Sequence, residues 1–450
     1  MTRVDVAVVG GGIAGLAAAW TLRRMGREVA LLEATDQVGG MVRTRRVGDY
    51  LIEEGPHSFL GRATPLWDLM AELGISGHAV AAQPPAWRFV HRAGKTRRLP
   101  VGLWSALSGN WLSTRGKLRA ALEPFVPAGA ADDESVRAFF ARRFGEEVAD
   151  GLVAPFVTGI YAGDAAQIGL ADAFPALADF ERGSGSVLRG AFGAKSRRAR
   201  AGRRGLFSLR DGMATLPRAL HSALEQTVSL NHPVQSLHRD DDVWVLGVSG
   251  AQEVRAKRVI IAAPPIAATQ LIEPHGVQGL RGVQTCAMAL VHLGGLESDG
   301  HARGFGALIP RGHGVRALGM LLTSSLFPGR APRGRASTAV FFGGAQDPEA
   351  ASLPDEQLVE LALRARHTVF GSTLEPEMQT VVRWPRAIVQ YRVGHREAMR
   401  RVMDDVHRKL PGVTLAGAHL SGVSVADACL SGVEAARRCL AADAVAGSPS

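Results

Sequence analysis

Residues 4 to 33 read VDVAVVGGGIAGLAAAWTLRRMGREVALLE, which has the pattern of a strand, a glycine turn, a helix and a second strand. Apolar residues fill both strand segments, and small and apolar residues lie on one face of the helix. Two parallel strands joined by a helix form a βαβ unit, the building block of Rossmann-like domains. This stretch therefore predicts an α/β fold that begins with a nucleotide-binding unit.

The glycine turn has the G-x-G-x-x-G spacing of dinucleotide-binding sites. The first glycine permits a tight turn, the second lets the backbone approach a pyrophosphate, and the third lets the helix pack closely on the strand. A carboxylate at the end of the second strand can accept hydrogen bonds from a ribose 2′-hydroxyl, which favours an unphosphorylated ribose. The predicted contacts are Gly10, Gly11, Gly12, Ile13, Ala14, Gly15, Glu33 and Ala34.

A second glycine turn with a nearby cation, Gly39-Gly40-Met41-Val42-Arg43, follows soon after Glu33 and offers further phosphate contacts. This pair of turns resembles the motif of flavoproteins in the amine oxidase and phytoene desaturase superfamily, and the resemblance implies FAD. Near the end of the chain, Val423, Ser424 and Val425 begin a long helix whose N–H groups could stabilise negative charge on a reduced flavin. An ordinary docking helix is the alternative.

The 450-residue chain is longer than one hydrophobic core usually accommodates, so two or more packed regions are expected. Its net charge of +10 fits attraction to nucleic acid, anionic lipid or an acidic substrate, or a general preference for Arg. Residues 195 to 204 read KSRRARAGRR and lack aromatic side chains that could stack on bases, so no nucleic-acid partner is predicted. A solvated segment and a lipid-headgroup contact are the two interpretations of this stretch.

Cys286, Cys429 and Cys439 show neither disulfide nor metal-ligand spacing, and no metal site is predicted. The N-terminal segment lacks the charged block and apolar core of a signal peptide, and no run of 18 apolar residues occurs. We therefore expect a cytoplasmic protein, which would contact a membrane only peripherally. The sequence carries no signal for oligomeric state, and a homodimer is compatible with it.

Patterning divides the chain into five stretches. Residues 1–86, 206–265 and 396–450 are predicted to form one FAD-binding domain, because strand-like runs in the later stretches can rejoin the first sheet. Residues 87–205 are predicted to be a helical membrane-binding insertion, in which Trp104, Trp111 and nearby Arg residues suit a bilayer surface. Residues 266–395 alternate strands and turns around one helix, and are predicted to be an α+β substrate-binding domain with an antiparallel sheet.

Seven short stretches resemble, in the same order, those of the oxygen-dependent protoporphyrinogen oxidase family. The most specific are TGIYAGD at 158 to 164 and GVSVAD at 422 to 427; the others lie at 54–59, 207–212, 325–328, 383–385 and 390–395. Together they cover nearly the whole chain. The resemblance implies a molecule of three parts, namely an FAD domain, a substrate domain and a helical membrane-binding domain.

The same resemblance implies an activity in the biosynthesis of haem or other tetrapyrroles. Six electrons would be removed from protoporphyrinogen IX to give protoporphyrin IX, with molecular oxygen reoxidising the flavin. No catalytic side chain is predicted, because flavin N5 would accept the hydride and the protein would position the ring. In keeping with this, the sequence shows no Ser-His-Asp pattern, no paired carboxylates on one predicted face and no H-E-x-x-H motif.

Five residues, in addition to His57, match positions that the family places at the substrate. A porphyrinogen is a large apolar ring with carboxylate arms, so its pocket needs apolar walls and a cation at the rim. Arg88 matches the arginine that pairs with a propionate, and Leu308 and Phe327 match apolar residues that hold the tetrapyrrole. Tyr161 and Gly163 lie in the stretch that borders the ring. A solvated arginine and two ordinary core residues are the alternatives for Arg88, Leu308 and Phe327.

Further cofactor contacts are implied residue by residue. Val234 matches the residue whose backbone meets the adenine end, and Trp384 matches a position near the flavin. Plain strand packing is the alternative for Val234, and an aromatic anchor between domains is the alternative for Trp384. The contacts implied beyond the first glycine turn are Gly40, Arg43, Gly55, Pro56, His57, Ser58, Val234, Trp384, Val423, Ser424 and Val425.

The sequence departs from the family pattern at several positions. His57, beside both flavin and substrate, stands where Asn or Arg is usual, so its titration is expected to affect turnover. Ala418, Leu420 and Ala428 stand where Asn, Tyr and Cys are usual, and Ser424 replaces a glycine. These changes bear on the substrate more than on the cofactor.

Three other functions fit the sequence. The first is oxidation of coproporphyrinogen III to coproporphyrin III, whose four propionates call for more cations around the pocket. The second is another amine oxidase or desaturase of the superfamily. The third is a flavin- or porphyrin-binding protein with little turnover.

Overall fold

The computed structural model describes residues 2–99, 111–129, 134–198, 203–250, 252–300 and 302–446. Trp104, and residues 199 to 202 of the basic stretch, lie outside these ranges. Within them, the strands are β1 (Thr2–Val9), β2 (Val29–Leu32), β3 (Thr44–Val47), β4 (Tyr50–Glu53), β5 (Phe59–Leu60), β6 (Ala79–Ala81), β7 (Arg88–Arg92), β8 (Lys95–Arg98), β9 (Leu206–Leu209), β10 (Val228–Ser229), β11 (Val234–Asp240), β12 (Val243–Val248), β13 (Gln252–Ile261), β14 (Thr285–Leu296), β15 (Gly306–Leu308), β16 (Gly319–Leu321), β17 (Arg335–Gly343), β18 (Met378–Val389) and β19 (Val413–Leu415).

The helices of the same residues are distributed along the whole chain. The α-helices are Ile13–Arg24, Thr64–Glu72, Thr114–Ala121, Val136–Phe144, Glu146–Val148, Ala154–Tyr161, Leu170–Ala173, Pro175–Ser184, Val187–Arg198, Thr215–Ala223, Pro265–Ile272, Thr323–Leu326, Asp355–Phe370, His395–Lys409, Ala418–Ser421 and Val425–Ala446. Single 3₁₀ turns lie at Ser76–His78, Glu123–Phe125, Glu225–Thr227, Glu273–His275, Leu280–Gly282 and Pro348–Ser352, and a π-turn at Ala149–Val153.

The first large sheet collects strands from three separated parts of the chain. Its order is β10-β2-β1-β13-β12-β11, with β19 also paired to β13. β1 runs parallel to both β2 and β13, and β13 runs parallel to β19, whereas β11 and β12 are antiparallel additions. The C-terminal halves of β1 and β13 are covered on both faces, and their residues Val6–Val9 and Val259–Ile261 are all apolar and buried, as in other parallel sheets. The predicted Rossmann-like α/β fold is confirmed.

The first helix (Ile13–Arg24) and the C-terminal helix (Val425–Ala446) cross at very close range. A side chain at Gly432 would collide with the carbonyl oxygen of Ala14, and Ala17 and Ala18 are fully buried nearby. Small residues allow two helix backbones to approach this closely. The beginning and the end of the described chain are therefore packed together beside the glycine turn.

The second large sheet has the order β18-β14-β17-β16-β15-β7-β8. Its strands pair antiparallel, except that β15 runs parallel to β7. Alternate residues of β14 face opposite sides: Ala289 and Val291 pack with the helix Asp355–Phe370, whereas Met288 and Leu290 pack in a separate cluster with Trp384. That second face, with Trp384, is the one that concerns the site.

The predicted helical insertion is wrong at its start. Arg88–Arg92 and Lys95–Arg98 form a hairpin at the edge of the second sheet instead of helices. The two residues between these strands, Ala93 and Gly94, have φ values of 49° and 69°, the pattern of a tight type I′ hairpin turn. An Ala-Gly pair lacks the Asn-Gly or Asp-Gly signal that usually marks such turns, so the local sequence does not predict this hairpin.

Helices do occupy the described residues from Thr114 onward, and a buried arginine lies at their centre. Arg143 is fully buried, and its Nη1 and Nε donate to Glu181 and Glu123, each at 2.6 Å. Glu123 also accepts hydrogen bonds from Ser186 and the Val187 N–H, so these buried charges are satisfied. No helix of the described residues is long and apolar enough to cross a bilayer.

Candidate active site

The first glycine turn shows which of its glycines the fold requires. Gly10 has a φ of 106°, and a side chain at Gly15 would collide with the Gly10 carbonyl oxygen. A Cβ at Gly12, by contrast, would have no atom within 4 Å, and Gly12 is the N-cap of the first helix. The turn therefore leaves open space at a helix N-terminus, where a pyrophosphate can approach the backbone.

Glu33 is held next to this turn. One carboxylate oxygen accepts the Gly11 N–H at 2.6 Å, and the other accepts the N–H and hydroxyl of Thr35 at 2.9 and 2.8 Å. The segment that leads into β11 lies alongside, because the Asn231 N–H donates to the Thr35 carbonyl and the His232 N–H to the Glu33 carbonyl. Val234 follows in the edge strand β11, opposite Val248.

The second glycine turn packs directly on the first. The Gly39 N–H donates to the Gly11 carbonyl at 2.8 Å, and a Cβ at Gly40 would lie 3.3 Å from the Cα of Gly12. Arg43 returns to this turn, since its Nε donates to the Gly40 carbonyl at 2.8 Å. Two sets of backbone N–H groups and one guanidinium are thus concentrated around the open space at Gly12.

Residues 54 to 58 continue this surface and connect it to the second sheet. A side chain at Gly55 would collide with the carbonyl of Met41, so this loop rests on the second glycine turn. The Trp384 indole N–H donates to the Glu54 carbonyl at 2.6 Å, and the Arg43 guanidinium lies 5.4 Å from the Trp384 ring centre. Trp384 therefore connects the second sheet to the loop of residues 54 to 58, at a point next to the predicted cofactor residues.

The start of the C-terminal helix is capped by its own residues. The Ser424 hydroxyl donates to the Asp427 carboxylate at 2.6 Å. The Ser424 N–H donates to the same carboxylate at 3.3 Å, and the Asp427 N–H donates back to the Ser424 hydroxyl oxygen at 3.1 Å. This reciprocal pair is a capping box, which the serine at this position makes possible. The helix continues to Gly432, where it meets the first helix, so its N-terminus belongs to the same part of the molecule as the glycine turns.

The residues of these four segments fit FAD. The open space at Gly12 suits a pyrophosphate, Glu33 has the position of a ribose-binding acid, and Arg43 supplies a cation. Metal-ligand clusters of three or more His, Cys, Asp or Glu do not occur in the part of the chain that the structure describes.

His57 lies at the seam between the two sheets, against a second histidine. Its ring stacks 6.0 Å from that of His292 on β14 and meets Phe341 edge-on at 5.7 Å. Burial, reinforced by His292 and Arg330, lowers the pKa of His57 to about 3, and burial lowers the pKa of His292 to about 4. Both rings are therefore neutral near pH 7, and the expectation that His57 titrates during turnover is not supported.

Three predicted substrate residues lie on or next to the C-terminal half of the helix Ala154–Tyr161. A Cβ at Gly159 would lie 2.7 Å from Leu308, so Leu308 packs against this helix. The Tyr161 hydroxyl donates to the Ala173 carbonyl at 3.2 Å, and a Cβ at Gly163 would lie 2.6 Å from the amide oxygen of Gln390. Leu308, Tyr161 and Gly163 are thus brought together.

The other two substrate candidates differ from each other in their surroundings. Arg88 is exposed on β7, beside Gly306 and two residues along from Leu308, with its guanidinium 4.5 Å from the Phe305 ring centre. Phe327 is buried, with the Arg330 guanidinium 5.7 Å from its ring centre. Arg88 is available to a ligand, whereas the contacts of Phe327 are those of a core residue.

A buried ion pair behind the site was not anticipated from the sequence. Glu53 on β4 and Arg330 are 3.1 Å apart, and both are buried. Arg330 also donates to the Ser208 hydroxyl at 2.7 Å and to the Leu209 carbonyl at 3.0 Å. Burial raises the pKa of Glu53 to about 7, although Arg330 opposes the shift. The two residues are 277 positions apart, and neither belongs to a motif that could have paired them.

Fold and site together define an FAD-dependent oxidoreductase. The family model described as "Flavin containing amine oxidoreductase" matches residues 13–440, and the chain belongs to that family. It is 29% identical to the chloroplastic protoporphyrinogen oxidase of Nicotiana tabacum, over 93% of this chain and 82% of the relative. It is 30% identical to the coproporphyrinogen III oxidase of Bacillus subtilis, over 92% and 93% of the two chains. The motif-based resemblance is confirmed.

Solved structures share the same fold. The crystal structure of a protein described as a putative protoporphyrinogen oxidase from Exiguobacterium superposes with a TM-score of 0.85, at 24% identity, over 97% of this chain and 98% of the other. Cyclohexylamine oxidase from Brevibacterium oxydans gives a TM-score of 0.73 at 20% identity, over 98% and 99%. At these identities the comparison shows the fold alone.

Proposed function

We propose that this chain oxidises a porphyrinogen to the corresponding porphyrin, that protoporphyrinogen IX is the substrate, and that oxygen is the final electron acceptor. One observation carries the proposal: Arg88 lies on the strand next to Leu308, so an exposed cation adjoins the apolar residues around the helix Ala154–Tyr161. This combination suits a tetrapyrrole with propionate arms. The names of the relatives support the same substrate class.

Each group has a distinct task in the proposed reaction. Bound FAD supplies the hydride-accepting chemistry. Arg88 pairs with a propionate and fixes the orientation of the ring, while Leu308, Tyr161 and Gly163 hold its apolar body. His57 and His292 stay neutral, so they add no cation beside the apolar ring.

Anaerobic mixing of the FAD-loaded protein with protoporphyrinogen IX is expected to bleach the flavin absorbance, and oxygen is expected to restore it with formation of the porphyrin. Faster bleaching by coproporphyrinogen III would assign that substrate instead. Failure to bleach with either porphyrinogen would contradict the proposal, and bleaching by an aromatic amine in that case would favour an amine oxidase.

Arg88→Leu should raise KM for protoporphyrinogen IX at least tenfold, because a charge-assisted hydrogen bond contributes about 1.5 to 3 kcal/mol. Arg92→Leu is the matched control, since Arg92 is an exposed arginine at the other end of the same strand. Steady-state assays of both variants measure the effect. Equal KM values for the two variants would show that Arg88 does not bind the substrate.

We further propose that the helical region rests on the cytoplasmic surface of a membrane. Leu118, Leu122 and Phe125 project apolar side chains that are 64%, 46% and 77% exposed, next to the cations Arg115 and Lys117. Large apolar side chains beside basic residues are typical of helices that lie in a bilayer interface. Trp111, which was expected to contribute, is instead partly buried against the helical core.

Replacing both Leu118 and Phe125 by Asp should reduce flotation with anionic liposomes at least about threefold, because two buried apolar contacts are exchanged for charges repelled by the lipid. Leu296→Asp provides a control, since Leu296 is a 40% exposed leucine at the end of β14. Wild-type protein that stays entirely in the soluble fraction would refute the membrane contact.

A further inference from the structure

Two stacked aromatic residues of the segment that follows β18 contact residues 417 to 424, here called the 417–424 loop, which includes the short helix Ala418–Ser421. The rings of Tyr391 and His395 lie 4.3 Å apart and are inclined by only 19°. Both residues are buried. The loop above them leads directly into the C-terminal helix, whose first residues are candidate flavin contacts.

Both aromatic residues hold main-chain atoms of this loop. The Tyr391 hydroxyl donates to the Ala418 carbonyl at 2.5 Å. His395 Nε2 lies 2.7 Å from the His419 carbonyl oxygen. Because a carbonyl only accepts hydrogen bonds, this Nε2 carries the proton. Two successive carbonyls of the loop are thereby directed toward one side.

The segment that carries Tyr391 and His395 is itself firmly anchored. Asp172 accepts the N–H of Gly394 at 3.0 Å and that of Arg396 at 2.6 Å. The Tyr391 carbonyl accepts the Gly169 N–H at 2.8 Å. The aromatic pair is therefore fixed to the helical region on one side and to the 417–424 loop on the other.

The loop also depends on two glycines with backbone conformations that other residues rarely adopt. Gly417 and Gly422 have φ values of 138° and 147°, and a side chain at Gly422 would collide with the Asp427 carboxylate. The carbonyl groups of such a loop need hydrogen-bond partners to stay in one orientation, because carbonyls without these partners would rotate to bond elsewhere. Tyr391 and His395 hold two of these carbonyls, those of Ala418 and His419.

We propose that Tyr391 and His395 are positioning residues that fix the 417–424 loop. The N–H groups at the start of the C-terminal helix then face the pyrimidine edge of bound FAD, and this arrangement sets how readily the flavin ring is reduced. The inference rests on the proposed contact of Val423, Ser424 and Val425 with the flavin. Aligned N–H groups at a helix start favour negative charge, which the flavin ring gains on reduction. Loss of alignment therefore disfavours reduction.

Tyr391→Phe tests the proposal, because it keeps the stacked ring and removes only the hydroxyl. The two-electron midpoint potential of the FAD-loaded variant is expected to fall by about 30 mV or more, which corresponds to a tenfold smaller equilibrium constant for reduction. Tyr50→Phe is the control, since it removes the same atom from a buried tyrosine that packs against Gly294 on the second sheet. Its potential should match that of the wild type.

His395 offers a second, independent test. His395→Leu should lower the potential, whereas His395→Gln should restore most of it, because the Gln amide can donate to the His419 carbonyl. FAD content and thermal unfolding of every variant establish that it is folded and loaded. If the FAD-loaded Tyr391→Phe and His395→Leu proteins have the same midpoint potential as the wild type, the proposal is wrong. The potential is measured without any porphyrinogen, so a wrong assignment of the substrate would not affect the outcome.

Discussion

Gly12→Val is expected to produce a folded protein that has lost FAD. A Cβ at Gly12 would have no protein atom within 4 Å, and the φ of −67° is open to any residue, so we expect the fold to accommodate valine. The valine would occupy the space that the pyrophosphate needs at the helix N-terminus. We expect FAD affinity to fall by at least two orders of magnitude, which is about 2.7 kcal/mol, measured by titration of the apoprotein.

Gly77→Val is the control for this substitution. Gly77 lies in the turn Ser76–His78, and a side chain there also meets nothing within 4 Å. Circular dichroism and thermal unfolding of the two apoproteins should match, while FAD binding should differ. Normal FAD content in Gly12→Val protein would show that the cofactor does not approach this glycine.

Of the substitutions considered for stability, Arg330→Met should lower the free energy of unfolding most, because it leaves the Glu53 carboxyl buried without its cation. Breaking a buried ion pair on one side typically costs about 3 to 5 kcal/mol. The folded pKa of Glu53, about 7, lies above its ordinary value of 4.5, so this group favours the folded state below pH 4.5 and loses that contribution as pH rises through 7. Without Arg330, the stability that is lost when Glu53 ionises becomes larger. The decrease in melting temperature caused by Arg330→Met should therefore be greater at pH 8 than at pH 5.

Two further variants isolate the ion pair. Adding Glu53→Gln to Arg330→Met should recover part of the stability at pH 8, because no buried charge remains. Arg364→Met breaks the exposed pair with Glu360 and should change stability by no more than about 1 kcal/mol. A decrease in melting temperature that does not depend on pH would contradict the account of Glu53.

Local sequence predicted those parts of the site that lie close together in the chain. The glycine turn, Glu33 and the second turn fall within 34 residues, and their spacing alone requires them to converge on one βαβ unit. Apolar runs at the end of β13 and around β19 indicate how the sheet could be completed, since apolar strand segments need a buried position between neighbours.

Contacts between distant residues left no local signal. The Glu53–Arg330 pair, the stacking of His57 on His292, and the hydrogen bond from Tyr391 to Ala418 each join different structural elements. Their existence depends on how the two sheets are placed, which side-chain periodicity does not encode. The hairpin of β7 and β8 is not predicted by the sequence for a different reason, because its turn residues, Ala93 and Gly94, are an unusual pair for such a turn.

The pairing of β1 with β13 has a consequence for synthesis on the ribosome. During translation of the roughly 220 residues between β2 and β13, β1 can pair with β2 but lacks its other parallel neighbour. The C-terminal helix that packs on Ala14 begins roughly 160 residues after the end of β13. The nascent chain must keep an apolar strand and a helix face exposed for most of its elongation, which makes it a substrate for chaperones and exposes it to aggregation. The packing behind the glycine turn is complete only after the helix Val425–Ala446 has emerged, so we expect secure binding of FAD to be a late step of folding.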